Sequence, residues 1–186
     1  CPICDGCKTR RARCGVKVQG KPDELPQPVK FADALTADHS IINEDDSSRS
    51  HDKVALIIQD RATNWLQSYP CETKSAERTT WCFQRFLGPQ CKAQHVYTDN
   101  SKEFQKALQD LCMSHDTSTP HRPQTNGVAE RAVRGVKEGT SCALTQSGLH
   151  PEWWPDAQIC YCFLKNTTVK RKDGKTAYFS RFGKKF

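Results

Sequence analysis

"ALTADHSII", residues 34–42, is an apolar run of strand length with an acid, Asp38, near its centre. A carboxylate inside such a strand costs desolvation unless something pairs with it, so the fold has to supply a reason for it. "KVALIIQD" (53–60) is a second β-branched run, and "NWLQSY" (64–69) follows after a short turn. Together the three read as an antiparallel meander. "KSAERTTWCFQRFLG" (74–88) then has helical spacing through Ala76, Trp81, Phe83, Phe86 and Leu87 and stops at Gly88. "AQHVYTDN" (93–100) is a short fourth strand, "EFQKALQDLCMSH" (103–115) a helix, and "TSTP" (117–120) a brief extended piece. "HRPQTNGVAERAVRGVKEG" (121–139) joins a loop to another helix, and "EWWPDAQICYCFLKN" (152–166) is a further one, anchored to the core by Trp153, Trp154 and Pro155. A meander followed by alternating helix and strand predicts an α/β fold, a mixed sheet with helices packed on it.

The chain has 186 residues, 36% of them hydrophobic, enough for one core domain and a short appendage. A net charge of +7 and a pI near 8.9 favour a polyanionic partner, although 21 acids are interspersed. The cysteines number eleven, an odd count, with four in the first 14 residues. With no apolar leader and no run of membrane length, they read as reduced thiols of an intracellular protein with no membrane partner. Residues 1–29 are cysteine-rich, basic and then Pro-rich, a module remnant and linker; residues 30–186 form the compact core. A chain that starts at Cys1 without Met reads as a piece of a longer product.

Asp38 lies within the first strand, Asp99 just past the fourth, and Glu130 at the start of a helix. If the first and fourth strands are neighbours, the three acids converge at one edge of the sheet. Phosphodiester cleavage or transfer needs the attacking and leaving oxygens stabilised together, which two divalent ions held by carboxylates accomplish. Mg²⁺ and Mn²⁺ take such hard oxygen ligands. Taken singly, each acid also has a structural reading: Asp99 caps the next helix and Glu130 is a first-turn acid favoured by the helix dipole. Asp60 reads as a turn former, Glu138 lies two helical turns beyond Glu130, and Asp110 and Asp116 have no motif around them.

"YTDNSKEF" (97–104) and "TPHRPQTNGVAER" (119–131) are similar to the signature around the second and third acids of retroelement integrases. "DGKTAYFSRFGKKF" (173–186) and the "CPIC" start look most like the copia type of LTR retrotransposon polyprotein. The resemblance implies a ribonuclease-H-like fold with a mixed five-stranded sheet, and bound Mg²⁺ or Mn²⁺. It implies cutting and joining of double-stranded DNA, element ends to target, in the nucleus and as a homo-oligomer. Asp38, Asp99 and Glu130 resemble its catalytic triad and metal ligands. Asn100, His121, Asn126, Arg131, Arg134 and Lys137 are the residues expected to touch DNA. One departure is visible: 30 residues separate Asp99 from Glu130, a few fewer than is common in the family. A decayed or domesticated DNA-binding copy, or another nuclease or transposase on the same fold, stands as the alternative.

Cys1, Cys4, Cys7 and Cys14 are spaced C-x2-C-x2-C-x6-C. Half a Zn²⁺ site with Cys1 and Cys4 as ligands, a local four-cysteine site, and free thiols compete as readings; in the first, two histidines of the full-length protein complete the tetrahedron. His39, His115 and His121 have no spaced partners. "KTRRAR" (8–13) and "VKRKDGK" (169–175) are phosphate contacts, localisation signals or solvated surface.

Overall fold

The computed structural model describes residues 27–42, 48–117 and 127–186. The leader with Cys1 and Cys4, together with His121 and Asn126, lies outside the described residues. Strands β1 (Ala34–Ile41), β2 (Val54–Asp60), β3 (Leu66–Cys71), β4 (His95–Thr98) and β5 (His115–Thr117) form one sheet in the order β3-β2-β1-β4-β5. β1, β2 and β3 pair antiparallel, as the meander predicts, whereas β4 and β5 run parallel to β1. Helices α1 (Ala76–Leu87), α2 (Lys102–Asp110), α3 (Gly127–Ser147), α4 (Trp154–Thr168) and α5 (Ala177–Phe182) flank it. The mixed five-stranded sheet expected from the sequence is the one observed.

Strand alternation divides the sheet into two faces. Leu35, Ala37, Leu56, Ile58 and Val96 point to one face, where Cys82, Phe83 and Phe86 of α1 and Phe104 and Leu108 of α2 cover them. On the opposite face Ile57 and Leu66 meet Ala132 and Val136 of α3 and Cys162 of α4. α1 seats Thr79, Cys82, Phe83 and Phe86, an i, i+3, i+4, i+7 stripe. Ser75 caps its start by accepting the Arg78 N–H, and Gly88, at φ 81°, closes its end.

Two local expectations are corrected, and one element is new. Trp81 stays 39% exposed instead of joining the core, because it lies off that stripe, between the guanidinium groups of Arg78 and Arg85 at 5.7 and 5.0 Å. α2 stops at Asp110 rather than His115. The chain reverses at Cys112, whose φ is 49°, and the Met113 N–H donates back to the Leu108 carbonyl at 3.0 Å. The fifth strand therefore begins at His115, ahead of "TSTP". Finally, α4 is followed by α5, whose Arg181 stacks on Phe31 at 4.0 Å and Trp65 at 4.7 Å while donating to the Phe86 carbonyl. Trp154 does anchor α4, being 4% exposed, and Trp153 lies beneath Arg49 at 4.0 Å.

Candidate active site

Asp38 is aligned with Ile57 of β2, so its side chain leaves the sheet on the face that Ile57 shares with α3. Thr36 is aligned with Tyr97 of parallel β4. Asp99 follows one residue after β4, so this parallel pairing puts it at the same end of the sheet as Asp38. Asp99 is fixed by its turn: Oδ1 accepts the Ser101 N–H at 3.2 Å at the entry to α2. The N-cap of α2 is Ser101, so Asp99 forms a turn ahead of the helix instead of capping it, a correction to the capping expectation. Asn100, next in the chain, is exposed and accepts from Gln105 Nε2 at 2.7 Å.

Burial, then the negative charge of Asp99, push the Asp38 carboxyl up to about 6, with a smaller push from Glu130. The backbone N–H of His39 and the ammonium of Lys74 oppose this. Each of the two other acids is therefore near enough to be felt at Asp38. Glu130 itself is exposed, in the first turn of α3. Among the described residues, no group of three or more His, Cys, Asp or Glu side chains stands arranged to hold a metal ion. At Asp38 the charge of Asp99 is felt more strongly than that of the exposed Glu130. The donor set still suits a hard divalent cation: the donors are carboxylate oxygens, and the mutual repulsion felt at Asp38 is what such a cation relieves.

Along α3, Ala129, Ala132 and Val136 face the sheet, Arg131 and Lys137 are exposed and Arg134 is half-buried. Lys137 Nζ donates to the Ile41 carbonyl at the end of β1 at 3.3 Å, tying this helix to the strand that carries Asp38. His39 points to the opposite face, its ring 4.5 Å from Phe104 and Nε2 3.3 Å from Thr79 Oγ1. Burial lowers its pKa to about 4, so it is a neutral core histidine. Lys74 was not singled out by sequence reasoning, yet its charge reaches Asp38, His39 and Glu103. It lies between β3 and α1 with no motif around it, and only the folded register brings it to the carboxylates.

No protein-family model matches the chain. Among curated proteins it is 30% identical over 117 residues to the retrovirus-related Pol polyprotein from transposon RE2 of Arabidopsis thaliana, covering 60% of this chain. It is 30% identical over 125 residues to that from transposon RE1 of the same plant, and 28% over 129 residues to that from transposon TNT 1-94 of Nicotiana tabacum. These matches cover 63% and 64% of this chain. The matched stretch is only 8–10% of the length of these relatives. Among solved structures, the catalytic core domain of BIV integrase aligns with TM-score 0.57 at 17% identity, over 79% of this chain and 91% of that one. The HTLV-2 integrase catalytic core domain in complex with magnesium, in a trimeric form, aligns with TM-score 0.62 at 17% identity, over 82% and 97%. A chain of the simian T-cell lymphotropic virus intasome in complex with PP2A regulatory subunit B56 gamma aligns with TM-score 0.69 at 16% identity, over 89% and 60%. The chain is thus a sequence relative of the retrovirus-related Pol polyproteins of copia-like transposons, built on the ribonuclease-H-like fold of retroviral integrase catalytic cores.

Proposed function

We propose that the chain is the catalytic core of an integrase-type polynucleotidyl transferase that trims DNA 3′ ends and joins them to target DNA. The observation that carries this reading is the parallel pairing of β1 with β4, which puts Asp38 and Asp99, one residue past β4, at the same end of the sheet, where the charges of Asp99 and Glu130 both reach Asp38. Asp38, Asp99 and Glu130 would hold two divalent ions, Mg²⁺ or Mn²⁺, which when bound activate the attacking oxygen and stabilise the leaving one. Asp38 is set by the sheet and Asp99 by the turn before α2; Glu130 would have to close on them from the helix to complete the set. Asn100, His121, Asn126, Arg131, Arg134 and Lys137 would position the phosphodiester. Lys74 would add a positive charge that is felt at Asp38. The integrase neighbours, an intasome chain and a trimeric catalytic core among them, support DNA as partner and an oligomeric assembly; a nuclear site of action belongs to the same proposal. Among the described residues no helix is long and apolar enough to cross a membrane.

The test is a strand-transfer assay with Mn²⁺ and oligonucleotides mimicking an element end. Asp38→Asn, Asp99→Asn and Glu130→Gln should each abolish joined product while circular dichroism shows the fold intact. Full activity of Glu130→Gln would remove Glu130 from the ligand set. DNA binding without product from the parent chain would identify a decayed copy, and cleavage without joining a nuclease.

A further inference from the structure

Residues 170–185 hold seven Lys or Arg and one acid, Asp173, so this short segment carries a net charge of +6, against +7 for the whole chain. Residues 27–169, by contrast, hold 15 basic and 17 acidic residues. Within residues 27–186 the positive charge is therefore gathered at the end of α4 and around α5.

The local structure fixes this charge in place. Lys170 bridges to Thr176 in an antiparallel β-bridge, and the turn between them passes through Gly174 at φ 75°. The acid Asp173 is occupied within its own turn, its Oδ1 accepting the Lys175 N–H at 3.0 Å. Arg171 Nη1 donates to Ser180 Oγ of α5 at 3.2 Å, and Arg181 is stacked among aromatic rings. That leaves Lys170, Lys172, Lys175, Lys184 and Lys185 exposed. Three of them, Lys170, Lys175 and Lys185, converge on a cavity of about 500 Å³ that also takes in Thr167, Thr176 and Phe179, and no acid lines it. Lys175 Nζ sits 5.6 Å from the centre of the Phe179 ring, so the cavity presents an aromatic face beside its cations.

We infer that this end of the fold is a second nucleic-acid contact, an anchor for the phosphodiester backbone of DNA that lies apart from the carboxylate site. The inference rests on DNA being the substrate, as proposed above. One phosphate does not balance five exposed ammonium groups; a polymer with an anion at every step does. Ammonium groups beside an aromatic face suit a sugar-phosphate backbone better than an acidic peptide. The position fits a strand that continues past the active site. Asn166 fixes the C-terminal turn of α4 to Leu66 at the start of β3, through bonds of 3.0 and 2.7 Å. β3 lies two strands from β1, at least about 10 Å from the Asp38 strand, so a backbone reaching both places spans at least about three nucleotides at roughly 3.4 Å each.

The experiment measures anisotropy of a fluorescein-labelled duplex with the 186-residue chain, in EDTA so that no chemistry occurs, across a salt series. The triple variant Lys170→Gln, Lys175→Gln, Lys185→Gln should keep its melting temperature, since all three side chains are exposed. Its plot of log affinity against log salt should be shallower by about 2.7, at roughly 0.9 per lost phosphate contact. DNA binding by the parent chain with an unchanged slope in the triple variant would overturn the anchor and leave the proposed function standing. Absence of DNA binding by the parent chain would overturn both. Labelled polyglutamate held as tightly as DNA, with the same lysine dependence, would overturn the nucleic-acid assignment in favour of an acidic-protein surface.

Discussion

Two glycines four residues apart on α3 should respond to the same substitution with opposite signs. A methyl group built on Gly139 would overlap the ring of Tyr161 on α4, whereas one built on Gly135 would meet only Lys165 Nζ at 3.6 Å and Tyr161 Oη at 4.0 Å, ordinary contact distances. Both positions lie inside the 21-residue helix, so Ala gains about 1 kcal/mol of helix propensity at either. At Gly135 nothing opposes that gain, and Gly135→Ala should stabilise the chain by about 0.5–1 kcal/mol. At Gly139 the overlap falls on the body of a half-buried ring rather than a mobile tip. Overpacking of that kind costs about 1–3 kcal/mol, so Gly139→Ala should be net destabilising by about 1 kcal/mol. In a Tyr161→Ala background the obstacle is gone, and Gly139→Ala should become stabilising. The double-mutant cycle should then return a coupling near 2 kcal/mol, well above the roughly 0.5 kcal/mol scatter of independent sites. Urea melts of the four Gly139 and Tyr161 combinations, with Gly135→Ala alongside, measure all of this. Stabilisation by Gly139→Ala in both backgrounds would show that α3 and α4 do not approach at this glycine. The consequence reaches the active site, because the same helix begins with Glu130.

Asp60→Ala should cost about 3–5 kcal/mol in a thermal or urea melt, because the buried N–H groups of Ala32 and Thr63 and the Thr63 hydroxyl all donate to that carboxylate. Burial raises the Asp60 pKa above its ordinary 3.8, so the folded state holds this proton more tightly than the unfolded chain. The contribution of this titration to stability is largest below about pH 3.8 and falls as pH climbs through the native pKa. Asp60→Asn should remove that downward slope, and urea melts from acid to neutral pH will show whether it does. Replacing Arg134 and Lys137 together by Ala should make the salt dependence of DNA affinity shallower by about 1.8 if each neutralises one phosphate. An unchanged slope in anisotropy titrations would leave α3 as a solvated face with Lys137 serving only the Ile41 carbonyl.

What could be read from the chain beforehand was whatever local periodicity encodes. The β1 and β2 runs, the α1 stripe and the placement of Glu130 at a helix start all follow from spacing of side chains along one element. The misses share a cause, in that each depends on a partner remote in sequence or on a backbone turn with no signature residue. Cys112 takes the left-handed position that Gly or Asn usually announces, so the end of α2 was invisible. Asp60 looks like any turn aspartate until Ala32, 28 residues away, proves to donate to it. Lys74 acquires its place near Asp38 only through the register of the sheet. Asp38 was legible for the opposite reason, as a residue that breaks the pattern around it. A half-buried position in a buried strand, opposite Ile57 of β2, argues for Val or Ile there on stability alone. The strand nevertheless carries an acid whose proton affinity is raised by burial first, then by the charge of Asp99 and, least, of Glu130, so the fold keeps it buried and within reach of like charges. Local rules fail in this manner where a site is being maintained. A cation bound between the carboxylates would turn that repulsion into attraction and offset the cost of keeping Asp38 in the strand.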